Sequence, residues 1–315
     1  MKLILRLFVV LLVACLVFAV AGVIATWAPD QSVEQLSVRW AQAPSRLVAV
    51  NGMQVHVRDE GPRSDPMPIV LLHGTSASLH TWDGWAHSLT GQRRVIRFDL
   101  PGFGLTGPDP QNDYSMAAYV RFVGAVMDTL GVKTFVLAGN SLGGQIAWET
   151  AAAMPQRVSK LVLIDAAGYS FKSKSVPLGF WLARTPGLRE VMRQVLPRGV
   201  VQSSLRNVYG DPSRVTPELV DRYYDMALRA GNRQALGKRF EQVLSSDEAT
   251  IKTLKVPTLI LWGAKDRLIP PQNAQRFEAD IAGSRLVVFA DLGHVPHEED
   301  AQRTVDAFKV FLALP

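Results

Sequence analysis

The sequence predicts an α/β fold: a mostly parallel, doubly wound sheet with an inserted helical cap, preceded by an N-terminal transmembrane helix. Three observations carry this reading. Short, almost wholly apolar runs alternate with segments of helical periodicity, the pattern of a parallel sheet covered on both faces. Between about 168 and 250 the strand-like runs stop and only helical patterns remain. The chain opens with "MKLILRLFVVLLVACLVFAVAGVIATWAPD", which carries Lys2 and Arg6 and then no charge from Leu7 through Pro29.

That uncharged stretch is long enough to span a bilayer as a helix. Basic residues ahead of it stay on the cytoplasmic side and send the rest across, so the expected location is a single-pass membrane protein with its body on the periplasmic or extracellular side. Two other fates stay open. Ala19-Val20-Ala21 has the small-x-small spacing of a signal-peptide cleavage site, which would make the body secreted. "LVAC" at Leu12–Cys15 is similar to a bacterial lipoprotein processing site, although the apolar run continues past the cysteine. A buried core helix fits less well, because the stretch is apolar all round and terminal.

Composition narrows the class. Of the 315 residues 48% are apolar and 20% charged, which is globular rather than disordered. A net charge of +6 is modest for this length, and no nucleic-acid partner is expected from it. The single cysteine excludes an internal disulfide framework.

After the anchor at 1–29, residues 30–45 read as a polar linker, and 46–167 as the first part of the core. "RLVAVNGMQVHVRDEG" gives two alternating runs about Asn51-Gly52, a hairpin signal because both residues tolerate positive φ. "PIVLLHG" is an apolar strand ending in a turn, and "RVIRFDLPGFG" a second. "SMAAYVRFVGAVMDTLGV" has helical periodicity. "TFVLAGNS" is a strand, "LGGQIAWETAAAMP" a helix stopping before Pro155, and "VSKLVLIDAAG" another strand. The cap covers 168–250. The second core part, 251–315, holds the strand "PTLILWGAKD", a helix near Pro271–Ile281, the strand "SRLVVFADLGH" and a last helix near Glu298–Leu312.

Chemistry concentrates at strand ends. Gly139-Asn140-Ser141-Leu142-Gly143 fits G-x-S-x-G between a predicted strand and a predicted helix, the context that motif requires. A serine at the tip of such a turn sits in strained backbone with its hydroxyl exposed, above a helix N-terminus that favours negative charge. The plain alternative is a glycine-rich turn whose serine caps the helix. A serine alcohol needs a base. Of the six histidines, His294 follows the last strand directly, and His297 is its rival three residues on, otherwise a surface residue at a helix start. An acid must orient the imidazole. Asp266 follows "TLILWG" and gives the order Ser141, Asp266, His294; Asp165, which also ends a strand, is the rival acid. Asp99 and Asp291 read as turn or capping residues. The oxyanion donors are expected at the backbone N–H of Leu142 and of Thr75, just after His73-Gly74.

At this point the sequence resembles the α/β-hydrolase superfamily, from about residue 45 to the C-terminus. "LLHGTSAS", "FDLPGFGLT", "LAGNSLGGQIA", "LILWGAKDRLIP" and "LGHVPHEED" carry the resemblance, in the right order. It implies the α/β-hydrolase fold and a serine hydrolase with Ser141, Asp266 and His294 as triad, acting on a small-molecule ester in the manner of carboxylesterases and lipases, with no metal or organic cofactor. "GNSLGG" is also similar to the elbow of carbon–carbon bond hydrolases of ring-cleavage products. Those relatives usually carry tryptophan directly after the catalytic histidine, where Val295 stands here. A catalytically silent binding protein on the same fold is the reading outside enzymes.

Residues 168–250 hold 13 Lys/Arg against 8 Asp/Glu, so most of the chain's positive excess lies in the cap. That is either an ordinary solvated helical surface or a face turned toward anionic lipid, which would add a second membrane contact to the N-terminal helix.

Overall fold

The computed structural model describes residues 2–242 and 247–313. Residues 1, 243–246 and 314–315, parts of the expected anchor, cap and second core segment, lie outside the described residues. Eight strands form one sheet: β1 (Arg46–Val50), β2 (Met53–Glu60), β3 (Ile69–Leu72), β4 (Val95–Phe98), β5 (Phe135–Asn140), β6 (Val158–Ile164), β7 (Thr258–Gly263) and β8 (Arg285–Phe289). Their order across the sheet is β1-β2-β4-β3-β5-β6-β7-β8. The hairpin β1–β2 is antiparallel and turns at Asn51 (φ 49°) and Gly52 (φ 81°), the positive-φ pair its sequence calls for. β2 meets β4 antiparallel, and every pairing from β4 through β3 to β8 is parallel.

The continuous apolar runs have a simple cause: β3, β4, β5 and β7 are buried along their whole length. Alternation survives as a choice of layer. Phe135 and Leu137 of β5 face a core made with the helices Met116–Thr129 and Leu142–Ala153. Val136 and Ala138 face the other core, made with the helices Asp83–Leu89 and Ala301–Leu312. Arg97 interrupts the run in β4, and is buried against Glu60 (2.9 Å) and Asp83.

Between β6 and β7 lie six helices, from Leu178–Arg184 to Glu248–Ile251, and no strand among the described residues. They form the cap. The N-terminal helix Lys2–Ala25 contains a stretch, Ile4–Ala25, of mean hydropathy 3.2 and with none of it buried, long and apolar enough to cross a membrane. Residues 30–45, expected as a linker, contain the helix Val33–Trp40. Ser32 and Gln35 close it with a capping box, and Leu36 is buried with Leu105 and Met226. Ahead of it the backbone is knitted to the cap. Ala28 N–H donates to Gln194, Leu196 N–H to Thr26, Gln31 N–H to Leu228 and Ala230 N–H to Gln31. Trp40 Nε1 adds a bond to Asp225 at 2.9 Å.

Candidate active site

The sheet order brings the candidates to one edge. Thr75, Ser141, Asp165, Asp266 and His294 each follow a parallel strand (β3, β5, β6, β7 and β8), so all lie at the C-terminal ends of neighbouring strands. Neighbouring strands are about 4.8 Å apart, and β5 and β8 are three places apart, so a residue directly above β8 would be ~14 Å from one above β5. The chain after β8 closes this gap by folding back over β7. A Cβ on Gly263, the last residue of β7, would collide with the carbonyl of Gly293. Only glycine lets that loop pass.

Ser141 has φ 55° and ψ −115°, a conformation an L-residue adopts only under constraint. The constraint is close packing beneath it: a Cβ on Gly143 would strike the carbonyl of Leu72 at the end of β3. The helix Leu142–Ala153 starts at once, with its N-terminus beside the serine. His73 fixes the facing loop. Its Nε2 accepts from the Leu100 amide at 2.9 Å and its Nδ1–H donates to the Gly74 carbonyl at 2.8 Å. Burial holds the His73 imidazole neutral by lowering its pKa. Thr75, Ser141 and Leu142 border a common cleft.

His294 Nδ1–H donates to Asp266 Oδ2 at 2.7 Å. Asp266 is 2% exposed, and its other oxygen accepts from the amides of Leu268 (2.7 Å) and Ile269 (3.0 Å), which fixes the carboxylate plane. Asp165 is brought to the same place. Its Oδ1 accepts from Gly263 N–H at 3.0 Å, and its Oδ2 meets no partner among the described residues. Burial, and then the neighbouring Asp266, push the Asp165 carboxyl well above the usual carboxylate range. The two rival acids are thus adjacent, and Asp266 alone of them bonds the imidazole. Asp165, Asp266 and His294 offer ligand atoms within 4.8 Å of one another, a set that could hold a cation. Asp266 already spends one oxygen on the imidazole and the other on two amides, an arrangement that fixes a ring rather than one shaped around a cation.

Other residues hold the base loop, and the sequence reading had not singled them out. Asn140 Nδ2 donates to the carbonyls of His294 (2.9 Å) and Ile164 (3.1 Å). The Glu299 carboxylate accepts from Gly293 (2.8 Å), Gly210 (2.9 Å) and Asp211 (2.7 Å), joining the loop to the cap. The His294 amide donates to Val208, at the end of a cap helix, at 2.7 Å. His297 starts a helix as expected, but it is fully buried, not at the surface. Its ring lies 4.1 Å from that of Trp82 and its Nε2 bonds Thr81, because the short helix Pro296–Glu299 packs against the segment after β3. Asp99 is a turn organiser, accepting from Leu79 and Leu105 (both 2.7 Å), and also pairs with His56 at 2.8 Å.

Ser141 and His294 both line a cleft of about 1100 Å³, solvent-open mouth included. Apart from a few polar groups its walls are apolar cap side chains, among them Phe180, Leu196, Val200, Leu205 and Leu236. Residues 67–301 match the family model described as alpha/beta hydrolase fold. The chain belongs to the α/β-hydrolase family. This α/β hydrolase is 30% identical over 280 residues to the 2-hydroxy-6-oxo-2,4-heptadienoate hydrolase of Pseudomonas putida, covering 85% of this chain and 96% of that protein. Among solved structures it resembles a meta-cleavage product hydrolase of Pseudomonas fluorescens IP01, at TM-score 0.75 and 27% identity over 87% of this chain and 98% of that one. It also resembles a membrane phospholipase A described as a bacterial virulence factor, at TM-score 0.72 and 26% identity over 99% of this chain and 98% of that one.

Proposed function

We propose that this α/β hydrolase is a membrane-anchored serine hydrolase that cleaves carboxylic esters, small or lipophilic, through an acyl-serine intermediate. Ser141 Oγ attacks the ester carbonyl while His294 Nε2 takes its proton. The amides of Leu142 and Thr75 receive the oxyanion. Collapse of the tetrahedral adduct expels the alcohol, which leaves with the proton held on His294. Water then repeats the sequence on the acyl-enzyme and frees the acid. Asp266 orients the imidazole and stabilises its charged form. No metal or organic cofactor enters these steps.

The observation that carries the reading is the pairing of a His294–Asp266 couple with a strained Ser141 on one apolar cleft. The apolar helix Ile4–Ala25 supports the anchor, and the likeness to a membrane phospholipase A supports a lipophilic ester. The basic cap supports lipid attraction weakly, since Arg189, Arg198, Arg222 and Arg233 are paired with acids. The test uses the full chain in detergent: fluorophosphonate labelling and turnover of 4-nitrophenyl esters of graded acyl length. Labelling and turnover that vanish in Ser141→Ala are expected; full ester turnover by that variant would overturn the mechanism.

Carbon–carbon hydrolysis of ring-cleavage products is the second reading, favoured by the identity to the heptadienoate hydrolase. Loss of the dienoate absorbance of such a substrate, at a kcat/KM above that on any ester, would select it.

A further inference from the structure

A second cleft also reaches Ser141, sharing Thr75, Phe180 and Leu268 with the first, and its chemistry differs from the apolar one. It runs from Thr75, Ser141 and Leu142 to Arg184 and Arg239. Arg239, on the helix Asn232–Glu241, is only 6% exposed. Its Nε finds no acceptor, and it forms no ion pair among the described residues. Its guanidinium lies beside the Tyr119 hydroxyl, which donates to the Pro101 carbonyl at 3.1 Å and so offers the guanidinium a neutral oxygen, not a counter-charge. Arg184 is exposed and likewise has no acid partner among the described residues. The two guanidinium groups sit against one ring, 4.5 Å and 5.3 Å from the centre of Phe240. The acid that borders this cleft, Glu248, is committed elsewhere, to the Ser170 amide at 2.7 Å and Arg276 at 3.0 Å.

This arrangement is costly unless something completes it. Arginine does not shed its proton at physiological pH, so a buried guanidinium must keep its charge. A buried charge without a counter-ion is strongly unfavourable, and two like charges at one place compound the cost. Among the described residues the equally buried Arg97 meets Glu60 and the half-buried Arg94 meets Asp59, while the half-buried Arg229 bonds two carbonyls. Arg239 lies instead in a cleft that begins at the candidate nucleophile.

We propose that the Arg184–Arg239 end of this cleft binds an oxyanionic group, a carboxylate or a phosphate, carried by one arm of the ester substrate. The proposal rests on the ester reading above and narrows it: the substrate is an amphiphile whose apolar arm fills the first cleft and whose anionic arm fills the second, with the scissile carbonyl at Ser141 between them. A planar guanidinium with several fixed donors suits either oxyanion, and the two sources place the charge differently. A carboxylate would sit on the acyl arm of a dicarboxylic half-ester. A phosphate would sit on the alcohol arm of an acylglycerol phosphate.

Two measurements on the detergent-solubilised full chain test this. The first compares kcat/KM on matched pairs: 4-nitrophenyl hexanoate against mono-4-nitrophenyl adipate, and 1-decanoylglycerol against 1-decanoylglycerol 3-phosphate. The pair with the larger anionic preference identifies the source. Arg239→Gln should lower that preference at least tenfold, Arg239→Lys should lower it less, and Arg184→Gln, at an exposed position, should move it in the same direction. A preference that none of these changes overturns the proposal. The second measurement needs no turnover: Ser141→Ala protein should bind decyl phosphate or decanoate at least tenfold more tightly than decanol, and lose that difference with Arg239→Gln added. Equal binding of anionic and neutral amphiphiles overturns the subsite, whereas ester turnover failing while this binding stands overturns the ester reading alone.

Discussion

The side-chain amide of Asn140 donates to the main-chain carbonyl of His294 at 2.9 Å, so the residue before the candidate nucleophile holds the loop that carries the candidate base. β5 and the chain after β8 are thereby fixed to each other across two intervening strands. Asn140→Ala frees that loop by a fraction of an ångström or more without touching Ser141 or the imidazole. Loss of reacting geometry on that scale costs ~10²-fold in rate. The expected result is a kcat on 4-nitrophenyl esters reduced by about that factor, with an unchanged far-ultraviolet circular dichroism spectrum. An unchanged kcat would mean that Val208 and Glu299 suffice to hold the loop.

Glu299 is the corresponding clamp on the cap side. Removing its carboxylate orphans three amides that are otherwise bonded at 2.7–2.9 Å. A buried donor left unsatisfied costs about 1–3 kcal/mol; Gly293 is buried and Gly210 half-buried, so Glu299→Ala should destabilise by roughly 3 kcal/mol. For a chain of 315 residues that is a Tm lower by about 5 °C. Differential scanning calorimetry checks it, and a Tm within 2 °C of wild type would show that water replaces the carboxylate at little cost.

The two adjacent acids should separate cleanly by substitution. Asp266→Asn removes the acceptor that sets the imidazole tautomer and should lower kcat by about 10⁴-fold. Asp165 is held protonated by burial and by Asp266, so asparagine is close to an isostere of its resident form. Asp165→Asn should therefore keep kcat within about fivefold of wild type. The reverse ranking would transfer the orienting role to Asp165.

Stability should fall toward acid, and Asp165 should blunt the fall. Burial lowers the pKa of His73, and brings those of His80 and His297 to about 3, so all three stay neutral in the folded chain while the unfolded chain protonates them below about 6.5. Their contribution is complete above that pH and is lost as the pH drops. Asp165, raised, runs the other way: the folded chain holds its proton above the ordinary value of 3.8, so its contribution is lost as pH rises. Three histidines oppose one carboxyl, so unfolding takes up protons on balance as the pH falls below about 6.5, and stability falls with it. In Asp165→Asn the opposing proton is gone and the slope steepens. Urea unfolding midpoints at pH 5, 6 and 7 measure both; a flatter profile in the variant would reverse the assignment.

Much of this was legible because strand and helix periods differ and because glycine marks close approach. The apolar runs located the central strands, Asn51-Gly52 located the hairpin, and Gly139 to Gly143 located the turn at Ser141. Asp266 and His294 were found from their places after the last two strands. What escaped had no local signature. Asn140 lay inside the motif, but its role depends on a loop more than 150 residues away, and Glu299 looked like one more acid in "HEED". His297 read as a surface residue because nothing nearby in sequence announces that Trp82 covers it. The segment 30–45 reads as polar, yet Leu36 and the Ser32–Gln35 box already encode a short docked helix. Arg239 is one basic residue among many until, in three dimensions, it is seen to pair with no acid among the described residues.

The backbone bonds that knit Thr26–Gln31 to the cap leave almost no slack. The first of them, Leu196 to Thr26, falls one residue after the N-terminal helix ends at Ala25. A tether that short allows a swing of only about 6 Å. Embedded in a bilayer, such a molecule works at one fixed height, and its encounters become a two-dimensional search. Its turnover would then follow the mole fraction of substrate within the lipid plane rather than the bulk concentration, and adding inert lipid would slow it by surface dilution alone.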